Sequence, residues 1–176
     1  MKKILVIFLI LFLSIVGHCY VMYELYLPEV SGTGNPAGTD KVFTAVNCSG
    51  LTKANGYLKI DLKCDTPANM STIGALELTS SGIPDVNEWT MVDLTGLGIT
   101  TDYQTFYIPL ADWGTTSGEL NVAAINFIRW YNFSTDGNIT IYWRNAYIII
   151  GWLHEWNTQT ISKLNMKEFT KWNGLR

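Results

Sequence analysis

The sequence predicts an all-β chain folded as an antiparallel β-sandwich of the jelly-roll kind, with a short C-terminal helix. Three observations predict it. About eight short strand-like runs follow one another with turn signals between them. One run, Gly56–Cys64, alternates apolar and polar residues cleanly. No long apolar helical period appears before residue 155.

Taken in order, residues 21–30 (VMYELYLPEV) alternate imperfectly and read as a first strand. Residues 31–40 (SGTGNPAGTD) are rich in Gly, Thr and Asn and read as a loop. A short strand is expected at 41–46. In Gly56–Cys64, Tyr57, Lys59, Asp61 and Lys63 face one way, and Leu58, Ile60, Leu62 and Cys64 the other. Residues 74–79 repeat that pattern, and 80–87 (SSGIPDVN) form a loop. Strands follow at 88–94 and 105–109, and a loop at 112–118. The last two strands are 124–132 and 138–150, joined by 133–137. In the tail, Ile161, Leu164, Phe169 and Trp172 fall on one arc of a helix over 160–172, flanked by Lys163, Lys167 and Lys171.

The chain has 176 residues, enough for one domain. Charged residues are 15% and aromatics 13%, a composition opposed to disorder. Residues 1–19 carry Lys2 and Lys3 and then an apolar run over 4–16, too short to span a bilayer. They read as a cleaved secretory signal peptide, with an uncleaved anchor as the alternative. His18 stands before Cys19 where a lipoprotein motif wants a small residue. Removing residues 1–19 takes two lysines and no acid from a chain of net charge −3, leaving −5. Such a chain has no electrostatic reason to bind nucleic acid. The expected domains are therefore 20–150, the sandwich, and 151–176, the tail. Export admits a disulfide between Cys48 and Cys64, the reading taken here; the alternative is two buried thiols. Four N-glycosylation sequons start at Asn47, Asn69, Asn132 and Asn138.

No catalytic residue is assigned. After export the single histidine is His154, with no nucleophile motif beside it. No His/Cys cluster has zinc spacing. The stretch 32–37 matches a G-x-G-x-x-A string, but a strand rather than a helix follows it. Asp85 and Glu88 stand by Trp89 as paired acids, yet a small sandwich offers little room for a deep cleft. No dense acidic loop exists for a structural calcium ion, so no cofactor is assigned. The aromatics Trp89, Tyr103, Tyr107, Trp113, Trp130, Tyr131, Tyr142 and Trp143 are dense, and exposed rings suit the apolar faces of sugars. Trp89 and Trp113 adjoin polar loops and are expected to be exposed.

Residues 76–146 also carry a family pattern. Its parts are SSGIPDVNEW at 80–89, IPL at 108–110, AINFIRWYN at 124–132 and IYWRNAY at 141–147. In this the chain resembles the galactose-binding-like jelly-roll domains found as carbohydrate-binding modules in secreted polysaccharide-degrading proteins. The resemblance implies a secreted, lectin-like sandwich that binds a poly- or oligosaccharide without cleaving it. Arg144-Asn145 stands where the family usually carries Asp-Asn. On this reading Trp89, Trp113 and Trp130 are stacking surfaces, with Asp85, Glu88 and Arg129 as polar partners. Arg129 also has a structural reading, an ion pair to Glu88, and Trp130 a reading as core. A second reading makes the chain a structural or protein-interaction module, with the lysine-bearing tail touching a protein or a membrane.

Overall fold

The computed structural model describes residues 21–151. The leader read at 1–19, His154 and the helix read at 160–172 lie outside the described residues.

Among the described residues there are nine strands and two single-turn 3-10 helices. The strands are β1 (Val21–Tyr26), β2 (Val30–Gly34), β3 (Ala37–Val46), β4 (Gly56–Cys64), β5 (Met70–Thr79), β6 (Glu88–Val92), β7 (Gln104–Pro109), β8 (Ile125–Ser134) and β9 (Ile139–Ile150). They form two antiparallel sheets. One has the order β1-β9-β4-β7, with β2 also paired to β9; the other has the order β3-β8-β5-β6. β1 and β2 share one side of β9 end to end, from Val21 opposite Ile150 to Gly34 opposite Ile139.

The clean alternation of β4 places Leu58, Ile60, Leu62 and Cys64 in the layer between the sheets, all fully buried. They meet Ile141, Trp143, Ala146 and Ile148 of β9, and Leu76, Leu78, Ile128 and Trp130 from the other sheet. Burying an aromatic or aliphatic side chain of this size contributes about 1.5–3 kcal/mol, so this layer dominates stability.

β9 carries an irregularity that positions everything on its outer side. Its register against β4 shifts between Lys59 and Asp61, and against β1 between Glu24 and Tyr26. Asn145 sits at the shift in the left-handed region, with φ 51°. Inward residues are therefore 141 and 143 before it, and 146 and 148 after it. Arg144 and Tyr147 consequently stand on the same, outward face.

The loop expected at 31–40 is instead the rest of β2 and the start of β3. The glycines that suggested a loop serve a close approach between these two strands. A Cβ on Gly32 would lie 1.8 Å from the Gly38 carbonyl oxygen. The peptide bond Asn35–Pro36 between the strands is cis.

The expected disulfide is absent: Cys48 and Cys64 are buried free thiols. The reason is their separation along the sandwich. The Leu51 amide bonds the Cys48 carbonyl, and Leu51 packs against Gly56 at the start of β4, whereas Cys64 ends that strand. A nine-residue strand spans roughly 26 Å, and a bridge needs Cα atoms ~4.4–6.8 Å apart. Burial pushes the Cys48 thiol up to about 11, and it raises Cys64 as well.

Candidate functional site

The expectation that Trp89 and Trp113 are exposed is corrected by their packing. Trp89 is 4% exposed and Trp113 3%, and both belong to the core. Trp89 lies on β6 opposite Leu78, so the strand's alternation turns it inward. Its indole N–H donates to the Glu119 carboxylate. Trp113 follows a turn in which its amide bonds the Leu110 carbonyl. Trp130 is fully buried, in keeping with its reading as core. None of the three offers a ring face to a ligand.

The polar trio does come together, with a member that sequence reasoning missed. On the outer face of the four-stranded sheet, Arg129 of β8 stands opposite Glu77 of β5. Its Nη2 lies 2.6 Å from Glu77 Oε2 and 2.8 Å from Asp85 Oδ1. The ion pair read as Arg129–Glu88 is thus formed with Glu77 and Asp85 instead. The Asp85 amide donates to Glu77 Oε1 at 2.6 Å, which ties the loop after β5 down onto the sheet. The Gly82 amide adds a second tie, to Asn126 Oδ1 at 2.9 Å. Glu88 is 1% exposed and lies against Glu77. Burial, followed by the hydrogen bond and charge of Glu77, raises its carboxyl from 4.5 to about 7. Carboxylate oxygens of Glu77, Asp85 and Glu88 lie within 4.8 Å of one another, a spacing that suits a cation. Here the Arg129 guanidinium already answers two of the three. Glu77 was findable from its alternation in residues 74–79, which sets it on the same face as Arg129.

A different surface carries the exposed aromatics. On the outer face of the five-stranded sheet, side chains stand in rows across β7, β4, β9 and β1. Tyr57 pairs with Pro109 on one side and Ile149 on the other. Lys59 stands between Tyr107 and Tyr147, and Glu24 lies beyond Tyr147. Asp61 stands between Thr105 and Arg144, and Lys63 stands beside Tyr142. The four tyrosines are half-buried, as side-by-side rings on a sheet must be.

Polar contacts fix this face. Lys59 Nζ lies 4.7 Å from the Tyr147 ring centre. Lys63 Nζ lies 4.3 Å from that of Tyr142 and 4.5 Å from that of Tyr103. The Arg144 guanidinium is 3.9 Å from the Tyr103 ring centre. Asp61, 8% exposed, accepts from Thr105 Oγ1 at 2.6 Å, Asn145 Nδ2 at 2.8 Å and Arg144 Nε at 3.4 Å. Tyr103 donates its hydroxyl to Glu29 Oε2 at 2.7 Å. Burial, then that bond, holds the Tyr103 phenol well above its ordinary value. From Tyr57 to Lys63 the face runs roughly 20 Å. Its signal in the sequence is the Tyr57, Lys59, Asp61, Lys63 alternation, the polar face of the cleanest strand.

Of the four sequons, Asn47 and Asn138 are exposed and Asn69 is half-buried. Asn132 is fully buried, and its Nδ2 donates to the carbonyls of Ser71 and Phe133. A glycan on Asn132 has no room in the folded chain, which corrects that assignment.

No family model matches the chain, and no curated protein matches it. Among solved structures it overlaps a family 30 carbohydrate-binding module at 11% identity and a TM-score of 0.48, over 85% of this chain and 96% of that one. It is similar in fold to carbohydrate-binding modules. The family 30 module of a cellulosomal cellulase of Clostridium thermocellum overlaps at 13% identity and a TM-score of 0.44, covering 78% and 99% of the two chains. A family 11 module of Clostridium thermocellum, in complex with a β-1,3-1,4-mixed-linked tetrasaccharide, overlaps at 13% identity and a TM-score of 0.38, covering 77% and 91%. Overlaps this loose transfer neither a ligand nor a residue role.

Proposed function

We propose that this chain is an exported, non-catalytic saccharide-binding module whose ligand lies across the tyrosine face of the five-stranded sheet. The observation that carries this reading is the set Tyr57, Tyr107, Tyr142 and Tyr147, interleaved with Lys59, Asp61, Lys63 and Arg144 on one outward face. Phenol rings cover the apolar C–H faces of a pyranose. The ammonium, guanidinium and carboxylate groups, with the phenol hydroxyls, then supply both donors and acceptors to its hydroxyls. Lys59 rests on Tyr147 and Lys63 on Tyr142, so a stacking ligand displaces these ammonium groups, which their long flexible stems permit. Aromatic stacking with polar readout thus remains the mode of binding, transferred from the tryptophans to the tyrosines.

The test is retention of the chain from Tyr20 onward on insoluble polysaccharides and on a glycan array, repeated with Tyr57→Ala and Tyr147→Ala. Each variant is expected to lose roughly tenfold in affinity, about 1.4 kcal/mol, with little change in Tm because the rings lie outside the core. Retention unaffected by both substitutions overturns the assignment of this face. Absence of binding across all glycans overturns the saccharide reading itself.

A further inference from the structure

The other sheet carries a groove that the tyrosine face does not involve. It has a volume of about 450 Å³ and is lined by Gly38, Asp40, Asp85, Arg129, Tyr131 and Phe133, among others. Its shape follows from the register. Gly38 stands opposite Tyr131, and the missing side chain leaves a trough beside the ring. Asp40 stands opposite Arg129 on the edge strand β3 and is exposed. Among the described residues it makes no ion pair or side-chain hydrogen bond. Asp85 forms the opposite wall with its side chain 69% exposed. Phe133 is 38% exposed at one end.

The charge of the groove is unbalanced. Its one cation, Arg129, is committed to Glu77 at 2.6 Å and Asp85 at 2.8 Å and rests on Tyr131, 4.8 Å from the ring centre. Asp40 is left without a counter-charge. An anionic ligand would meet two exposed carboxylates, and a uronic acid or sulfated sugar is therefore repelled. A neutral sugar could donate its hydroxyls to Asp40 but would leave the charge of that carboxylate uncompensated.

We infer that this groove is a second ligand site, distinct from the tyrosine face, for a sugar bearing a free primary amine, a deacetylated hexosamine unit. The ammonium lies between the carboxylates of Asp40 and Asp85, which a charge-assisted hydrogen bond rewards. The apolar face of the ring covers Phe133 and the exposed edge of Tyr131. The rim presents both acceptors, on the two aspartates, and N–H donors, on Arg129. A hexosamine answers both, with its ammonium donating and its hydroxyl oxygens accepting. A lysine side chain answers only the acceptors, because an ammonium on a methylene stem accepts nothing.

Four probes differing in one feature test this. They are a glucosamine hexamer, its fully N-acetylated counterpart, cellohexaose and polylysine, each titrated against the chain by calorimetry at two salt concentrations. The glucosamine hexamer is expected to bind at least tenfold tighter than the acetylated and nitrogen-free hexamers. That preference is expected to shrink at high salt. Asp40→Asn and Phe133→Ala are each expected to weaken it about tenfold with Tm unchanged. Asp112→Asn, at an exposed turn acid outside the groove, is expected to leave it intact.

Equal affinity for the three hexamers, polylysine binding as tightly as the glucosamine hexamer, or no glucosamine binding overturns the inference. So does glucosamine binding that is lost in Tyr57→Ala and Tyr147→Ala but kept in Asp40→Asn and Phe133→Ala. The hexamers are compared in the Tyr57→Ala/Tyr147→Ala double variant, which removes the tyrosine face, and the neutral glycans on the unaltered chain score that face separately, so either proposal survives the failure of the other.

Discussion

Glu88 gives the chain a pH-dependent stability whose sign and size follow from its setting. The carboxyl is 1% exposed, and its value rises from 4.5 to about 7 through burial first and the neighbouring Glu77 second. The folded chain therefore holds a proton that the unfolded chain releases between pH 4.5 and 7. The stabilising contribution of this proton is fully present below about pH 4.5. It declines as pH rises and is gone above about pH 7. At 1.36 kcal/mol per unit, a rise from 4.5 to about 7 corresponds to about 3 kcal/mol. Glu88→Gln isolates this contribution, because the amide still donates to Glu77 and does not titrate. Urea unfolding of both proteins at intervals from pH 4.5 to 8 measures the difference. The wild-type chain is expected to lose about 3 kcal/mol relative to the variant over that range, or roughly 10 °C in Tm for a domain of this size. Parallel pH profiles refute the reasoning, since they mean that Glu88 ionises with the same ease in both states.

Three further outcomes are expected. Dithiothreitol should leave the thermal midpoint unchanged, since Cys48, in the connection before β4, and Cys64, at the end of β4, are free thiols; a drop on reduction, read by scanning calorimetry, refutes this. Trp130→Ala should cost about 3–5 kcal/mol in denaturant melts, because the ring is fully buried between the sheets, while an exposed ring would cost under 1. Gly32→Ala should prevent normal packing of β2 against β3, its Cβ falling 1.8 Å from the Gly38 carbonyl oxygen; soluble expression with a wild-type melting curve would contradict that close approach.

The sandwich was legible because alternation survives wherever one face of a strand is wet. Gly56–Cys64 has the bounds of β4, and its two faces are the core and the tyrosine surface. Strand β8 was harder to read, since both of its faces carry bulky groups. Phe127 and Arg129 face outward but are covered, the latter by the loop that Asp85 and Gly82 tie to the sheet. Neighbouring polar residues misdirected the reading of Trp89. The strand's parity, not the polarity of Asn87 and Glu88, decides where that indole points. The Gly-rich stretch at 31–40 read as a loop because glycine marks both turns and close backbone approaches, and Gly32 belongs to the second kind. Asp85, Glu88 and Arg129 were found by residue type, yet their partner Glu77 required cross-strand register. Tyr107 and Tyr142 were picked out among the dense aromatics but Tyr57 and Tyr147 were not, and none was seen as part of a surface, because they come from three strands that are not consecutive in the chain.

The offset at Asn145 divides the mutations β9 tolerates from those it does not. β9 is the hub of its sheet, with β1, β2 and β4 all bonded to it. A substitution at 145 keeps the register but removes the Nδ2 bond to buried Asp61 and sets another side chain at φ 51°. Loss of the residue exchanges inside for outside along 146–150, presenting Ala146 and Ile148 to water and driving Tyr147 and Ile149 inward. Single-codon deletions at this point should thus be purged in a deep mutational scan, while Asn145→Gly, which accepts the left-handed backbone, is tolerated better than a β-branched residue. Lineages descended from this chain would then hold their length and keep 145 within a narrow set of residues.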